Sequence, residues 1–146
     1  MTISQAGIDL IKNFESLSLA AYRCPAGIWT IGWGHTRGVQ PGMQITAEQA
    51  GKLLAEDLEE VERELPSVVH PNLTQGQWDA LVSLSFNLCG GATGLPHTCP
   101  HLLAAVNSGN FVAAAQQFLN INHGANGEIL PGLTRRRQAE RNLFLS

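Results

Sequence analysis

The stretch ESLSLAAYRCPAGIWTIGWGHT, residues 15–36, marks a change from a helical pattern to a β pattern. Upstream of it, a candidate N-cap precedes apolar residues at helical spacing: Ser4, then Ile8, Ile11 and Phe14. This spacing predicts a first helix that ends near Glu15. From Ala21 to Gly42, glycines, aromatic residues and β-branched residues predict short strands joined by tight turns. The sequence therefore predicts a helix followed by a small β element.

The rest of the chain carries repeated helix signals. Two capping-box sequences, TAEQ at 46–49 and TQGQ at 74–77, each begin a helical pattern. The first predicts an amphipathic helix that ends before Pro66, with one apolar face: Leu54, Leu58, Val61 and Leu65. The second predicts a central buried helix, WDALVSLSFNLC, that GGATGLPHTCP ends. Two short helices around NSGN, with Asn110 as an N-cap, and a last helix over 134–145 complete a mostly helical α+β fold.

The composition is that of a folded protein. The chain has 146 residues, enough for one hydrophobic core, and we expect a single domain over residues 1–146. Its charged fraction of 14% argues against a disordered chain. The formal net charge of −3 gives no general attraction to nucleic acid or to an anionic membrane. The three cysteines lack zinc-ligand spacing, so we expect reduced thiols and no metal or other cofactor: Cys24, Cys89 and Cys99.

Several residues in or beside the β element are candidates for chemistry. Glu15 follows an apolar helix face, and an apolar setting favours the protonated carboxyl group that a general acid needs. Thr30 alternates with apolar residues on a predicted strand, so its hydroxyl points to the opposite face, where it can position water. A lone histidine such as His35 is more often a structural hydrogen-bonding group. Trp29 and Trp33, at period two, are more typical of core packing than of a binding surface.

Four segments of the chain resemble one known family. Glu15, then Cys24 after eight residues, then Thr30 within TIGWGHT at 30–36 resembles the glutamate, aspartate, threonine signature of phage-type lysozymes, glycoside hydrolase family 24. Three further segments look like the central helix, helix pair and terminal helix of that family: QWDALVSLSFNLCGG at 77–91, GNFVAAAQQFLNINH at 109–123 and LPGLTRRRQAERNLFL at 130–145. The resemblance therefore covers nearly the whole chain.

The resemblance implies a lysozyme-like fold and a muramidase activity. Such enzymes cleave the β-1,4 bond between N-acetylmuramic acid and N-acetylglucosamine in bacterial peptidoglycan glycan strands. Carried over by position, Glu15 protonates the leaving oxygen and Thr30 helps to place water. Cys24 stands where most members have aspartate, and this departure leaves the second catalytic role open.

Cys24 can take over that role only as a thiolate. A thiolate can activate water, attack the anomeric carbon or stabilise a positively charged transition state, whereas a neutral thiol does none of these well. Arg23 is a candidate for lowering the pKa of this thiol, although adjacent side chains of a strand point apart. We interpret Glu15 and Cys24 as a working acid and thiol pair. Retained or inverted stereochemistry stays open, as does a hypothetical off-switch through a disulfide to Cys89 or Cys99.

Two other classes of function fit some of the same residues. A cysteine-dependent peptidase or amidase acting on the peptide stems would use Cys24 with His35 as its base. A non-catalytic wall-binding protein would keep the cleft and lose turnover, and the missing aspartate is its only support. Reducing ends released from purified peptidoglycan distinguish these classes, because only the muramidase produces them.

The basic run RRR at 135–137 opens the predicted last helix, where the helix dipole disfavours cations. At least one of these arginines is therefore expected to have a tertiary partner. By analogy with the family, we expect Arg136 or Arg137 to approach the catalytic glutamate Glu15.

The sequence also bears on how such an enzyme meets its substrate. Asp9 and Lys12 interrupt the N-terminal apolar residues, so we identify neither a signal peptide nor a transmembrane segment. We expect a monomer without stable membrane association, held in the host cytoplasm until a holin gives it access to the cell wall. The alternative is that an N-terminal anchor has been removed.

Overall fold

The computed structural model describes residues 1–88 and 90–146, so Cys89 lies outside the described residues. Two strands follow the first helix: α1 (Gln5–Phe14), β1 (Ser18–Arg23) and β2 (Trp29–Gly32). The helices after them are α2 (Ala47–Glu64), α3 (Gln75–Asn87), α4 (Leu95–Thr98), α5 (Pro100–Asn107), α6 (Phe111–Phe118) and α7 (Pro131–Phe144). Short 3-10 turns lie at Leu65–Ser67 and Ala92–Gly94.

Helix α1 begins and ends where the sequence predicts. The Ser4 side chain accepts a hydrogen bond from the Gly7 amide, which caps the N-terminus. Glu15 is the C-cap, and its amide donates to the carbonyl of Ile11 at 2.8 Å. The Ser4 amide also donates to Asp79 of α3 at 3.0 Å, so the start of α1 is fixed to the central helix.

The β element is a hairpin, but it begins earlier than the predicted Ala21. Strand β1 pairs antiparallel with β2, and an irregularity in register lies between Ser18 and Tyr22. The other edge of β1 is also paired, because Ala21 donates to Met43 and Ile45 donates to Leu19. Backbone partners on both edges extend the strand back to Ser18, and the local glycine and aromatic pattern does not report such tertiary pairing.

Both capping boxes are present, at Thr46 with Gln49 and at Thr74 with Gln77. The predicted apolar face of α2 is buried, with Leu65 in the 3-10 turn that follows. In α3, nine successive residues from Gln77 to Ser85 are buried, which confirms a central helix. Helix α3 packs against α1, α2 and α7. Nowhere in the described ranges is a helix both long and apolar enough to cross a bilayer.

The C-terminal part differs from the prediction in two places. The predicted helix break after α3 contains the 3-10 turn at 92–94 and the short helix α4. Helix α7 begins at Pro131 rather than at residue 134, because proline has a backbone angle suited to the first helical position and lacks only an amide that would be unpaired there. The short helices α5 and α6 are confirmed, and the Asn110 side chain caps α6 by accepting from Ala113.

The position of Gly76 predicts that its replacement by alanine will destabilise the protein. A Cβ at this position would lie 2.3 Å from the carbonyl oxygen of Leu143 in α7, so the helices must move apart. Gly76→Ala should therefore lower the free energy of unfolding by about 1–3 kcal/mol. Gly51→Ala in α2 is the matched control, because its Cβ would meet no atom within 4 Å, and it should raise stability by about 1 kcal/mol. Urea unfolding of both variants measures the difference, and effects of the same sign would contradict this account.

Candidate active site

Glu15 lies where α1 ends and is held by an arginine from the far end of the chain. Its side chain is 23% exposed, whereas that of Arg136 on α7 is only 3% exposed. Nη1 of Arg136 donates to Oε1 of Glu15 at 2.8 Å. This confirms the expectation that Arg136 or Arg137 approaches Glu15. The expectation that Glu15 lies in an apolar setting is wrong for Oε1, because the guanidinium group of Arg136 faces this carboxylate oxygen.

A buried charge network stands behind Arg136. Its Nε donates to Glu140 at 3.4 Å and its Nη2 to the carbonyl of Ser83 at 3.2 Å. The Ser83 hydroxyl donates to the same Glu140 carboxylate at 2.5 Å. Arg137 donates to Glu140 and to Asn87. Burial raises the pKa of Glu140, and the guanidinium groups of Arg137 and Arg136 oppose this rise. With Glu15, the network holds two carboxylates and two guanidinium groups, so the formal charges balance.

Cys24 follows directly after β1, at the start of the turn to β2. Its amide donates to Ile28 at 2.9 Å and its carbonyl accepts from Gly27 at 2.8 Å, so the turn is closed by backbone hydrogen bonds. Hydrogen bonding from the Ile28 amide is the main cause that lowers the pKa of the Cys24 thiol, and the Ala26 amide and Thr30 hydroxyl contribute in the same direction. The guanidinium of Arg23 instead lies over the ring of Trp29, 5.2 Å from its centre. The backbone of the turn, rather than Arg23, therefore lowers the pKa of the Cys24 thiol.

Thr30 is buried on β2, and its hydroxyl donates to the carbonyl of Ile28 at 3.0 Å. The single proton of this hydroxyl is engaged by the Ile28 carbonyl. Tyr22 is the register partner of Thr30 across the hairpin. The charges of Glu15 and Cys24 both act on the Tyr22 phenol. The fold therefore brings the predicted residues Glu15, Cys24 and Thr30 into one neighbourhood around Tyr22.

His35 is buried with both ring nitrogens in hydrogen bonds. Nδ1 lies 2.9 Å from a carboxylate oxygen of Asp57 on α2, and Nε2 lies 2.8 Å from the carbonyl of Arg37. A carbonyl only accepts, so Nε2 carries a proton and donates. Nδ1 then either donates to the Asp57 carboxylate or accepts from its protonated form. In both cases no lone pair of His35 is free to take a proton from Cys24.

The two tryptophans of the hairpin region have structural neighbours. Trp33 is partly buried against the hydrophobic core, with the ammonium of Lys12 5.3 Å from the centre of its ring. Trp29 is also partly buried and is covered by Arg23. Core packing, the interpretation that the spacing favoured, is confirmed for Trp33.

An open cleft extends on both sides of Glu15. Gly34 has a φ of +90°, and a Cβ there would lie 3.0 Å from Oε2 of Glu15, so glycine keeps the second carboxylate oxygen accessible. A cavity of about 330 Å³ extends from Gly34 along α2 to Asp57 and Glu64. A second cavity, of about 500 Å³, lies between Glu15 and the start of α7. Glu15 therefore lines one open cavity, and the neighbouring Gly34 lines another.

Cys99 is separate from this site. Cys24 and Cys99 are both free thiols. Cys99 is 4% exposed within the core, and burial raises the pKa of its thiol. A disulfide between Cys24 and Cys99 would require the core to open. Cys89, the second partner suggested for an off-switch, lies outside the described residues.

Sequence reasoning missed three residues of this neighbourhood. Tyr22 precedes Cys24 by two positions, and the period-two rule for strands was the available signal. Gly34 is the second glycine of TIGWGHT, and the available signal was that glycine in a strand often marks a close approach of another group to the backbone. Asp57 gave no signal, because it is 22 residues from His35 and on another element.

Comparison with known proteins identifies the family. The phage lysozyme sequence model matches residues 12–140. The endolysin of Acyrthosiphon pisum secondary endosymbiont phage 1 is 44% identical, and the alignment covers 100% of this chain and 99% of that protein. The endolysin of Salmonella phage P22 is 43% identical with the same coverage. The solved muramidase domain of SpmX from Asticaccaulis excentricus has a TM-score of 0.88 and 41% identity, over 99% of this chain and 98% of that one. The fold is lysozyme-like, and the chain belongs to the phage lysozyme family.

Proposed function

We propose that this chain is a peptidoglycan muramidase that cleaves the β-1,4 bond between N-acetylmuramic acid and N-acetylglucosamine. The observation that carries the proposal is the Glu15 carboxyl group in an open cleft, held on one side by the buried Arg136. The hairpin with Cys24 and Thr30 faces the same neighbourhood. Membership in the phage lysozyme family, whose relatives include endolysins and a muramidase domain, supports the same reaction.

Glu15 is the general acid of this proposal. Its Oε1 accepts from Arg136, which leaves Oε2, beside Gly34, as the oxygen that carries a proton into the cleft. A protonated carboxyl group can still accept the Arg136 hydrogen bond through its carbonyl oxygen. The proton on Oε2 then passes to the glycosidic oxygen as the bond to the leaving sugar breaks.

Cys24 acts as a thiolate at the other side of the scissile bond. Thiol ionisation is favoured by the amide of Ile28, and a thiolate can stabilise the positively charged sugar, attack it or activate water. Thr30 lies beside this thiolate and helps to place water. The proposal is compatible with a retained or an inverted product, which analysis of the anomeric form of the product distinguishes.

A cysteine-dependent peptidase or amidase is less favoured by the geometry. That chemistry needs a base for Cys24, and His35 was the candidate. Both nitrogens of His35 are engaged, by Asp57 and by the Arg37 carbonyl. A non-catalytic wall-binding protein would bind purified peptidoglycan without releasing reducing ends, so the measurement below also tests that alternative.

Replacement of Glu15 by glutamine tests the general acid. Glu15→Gln keeps the shape of the side chain and removes the transferable proton, so release of reducing ends from purified peptidoglycan should fall by about 10²–10⁴-fold. The wild-type chain is the positive control, and circular dichroism checks that the variant folds. Turnover by the variant at the wild-type rate would remove Glu15 from the mechanism.

Cys24 variants test the thiolate. Cys24→Asp should remain active because a carboxylate can stabilise charge or activate water, whereas Cys24→Ala should lose at least about 100-fold in rate. Wild-type activity should fall as the pH drops through the pKa of the thiol. Aspartate stays ionised down to about pH 4, so the acidic limb of the Cys24→Asp profile should move to lower pH.

The buried Cys99 provides the matched control for these variants. Cys99→Ala removes a thiol within the core, so its rate per folded molecule should equal that of the wild type. A Cys24→Ala enzyme as fast as the wild type would refute a catalytic thiolate, and an unchanged acidic limb in Cys24→Asp would refute its ionisation as the limiting step.

We also propose that residues 1–146 act as one catalytic domain and as a monomer, and that the enzyme waits in the host cytoplasm until a holin opens the membrane. Expression of the chain in a bacterial host, with and without a holin, tests this route. Lysis should begin only when the holin is present, as followed by culture turbidity. Equally rapid lysis without a holin would contradict the route while leaving the muramidase activity untouched.

A further inference from the structure

Tyr22 occupies a distinctive place on the hairpin. It lies in β1, two residues before Cys24, and the charge of Cys24 acts on its phenol. Across the hairpin its register partner is Thr30. Side chains directly opposite each other in an antiparallel pair have Cβ atoms about 5 Å apart. The phenol therefore neighbours both hairpin residues of the proposed site.

The phenol is also available to a ligand. Tyr22 is 40% exposed. Its O–H forms no hydrogen bond with any of residues 1–88 or 90–146. An aromatic ring with a polar tip can pack on the apolar face of a sugar and donate a hydrogen bond at the same time. An exposed tyrosine near Glu15 and opposite Thr30 can combine both properties.

The charges around Tyr22 keep it a donor. Burial is the first cause that raises the pKa of its phenol, and the negative charges of Glu15 and Cys24 raise it further. The pKa of the Cys24 thiol is shifted in the opposite direction by the amide of Ile28. A pH range therefore exists in which the thiol is ionised and the phenol beside it is neutral.

We propose that Tyr22 is a further substrate-contacting residue, whose phenolic O–H donates a hydrogen bond to an oxygen of the sugar at the scissile bond while its ring covers that sugar. The inference rests on the proposed muramidase function. A neutral donor near both the acid and the thiolate fits a glycan, because sugars present hydroxyl, ring and amide oxygens as acceptors. It also lets the site gain contact energy without adding a further negative charge beside the Cys24 thiolate.

Two variants separate the donor from the ring. Tyr22→Phe keeps the ring and removes the O–H, so kcat/KM on purified glycan strands should fall by about 10-fold, the cost of one neutral hydrogen bond. Tyr22→Ala also removes the ring, so KM should rise further, by about 3–10-fold. Leu19→Ala is the matched control, because Leu19 is a similarly exposed residue of the same strand, and its kinetics should equal those of the wild type.

A second measurement does not depend on turnover. Tyr22 is the only tyrosine of the chain, so tyrosinate absorbance reports on this residue alone. Its pKa should fall in Cys24→Ser, which removes a neighbouring negative charge. In the Glu15→Gln variant, an added peptidoglycan glycan fragment should suppress ionisation of Tyr22, because a bound sugar oxygen stabilises the protonated phenol.

The outcomes distinguish this inference from the proposed function. If the wild type releases reducing ends but Tyr22→Phe matches it in kcat/KM, or if the bound fragment leaves the tyrosine titration unchanged, the role of Tyr22 is wrong and the muramidase function stands. If the wild type releases no reducing ends, the proposed function is wrong and the inference falls with it. A fall in kcat/KM in Tyr22→Phe, together with suppression of Tyr22 ionisation by the bound fragment, supports both the muramidase function and the role of Tyr22.

Discussion

A guanidinium group buried between two carboxylates organises this molecule. Arg136 contacts Glu15 at the end of α1, Glu140 on its own helix and the backbone of Ser83 in α3. Arginine can make these contacts at once because its planar group carries five donors in a fixed arrangement, whereas the ammonium group of lysine is a point charge with three donors. Removal of Glu140 would leave the buried guanidinium group of Arg137 without its carboxylate partner, and breaking a buried pair typically costs about 3–5 kcal/mol. The position of the acid and the packing of three helices therefore depend on the same ion pairs.

The thiol in place of the family's usual carboxylate changes what the protein must supply. A carboxylate is ionised at neutral pH without help, but a free thiol mostly is not. Here the backbone amides of Ile28 and Ala26, in the turn that follows Cys24, lower the pKa of the thiol. Backbone amides depend on the turn conformation rather than on a particular neighbouring side chain. The electrostatic support for Cys24 is thus part of the hairpin itself.

Local signals made much of the fold predictable. The helix starts at Ser4, Thr46 and Thr74 follow from side chains that accept from amides three residues away, so the sequence alone contains the whole interaction. The early start of β1 and the Asp57 partner of His35 depend on segments distant in sequence, which periodicity does not report. The candidate site shows the same division between local signals and signals that depend on the three-dimensional structure. Glu15 and the arginine run could be identified from residue type and family resemblance, whereas the backbone support of Cys24 required the three-dimensional turn.

The ion pair between Glu15 and Arg136 joins residues 121 positions apart in the chain. Contacts of such long sequence separation form late, because the entropy of closing the intervening loop must first be overcome. During synthesis Glu15 emerges from the ribosome well before Arg136. Glu15 therefore gains this partner only after synthesis has passed α7. An interrupted chain that ends before α7 carries Glu15, Cys24 and Thr30 but lacks the group that orients the acid.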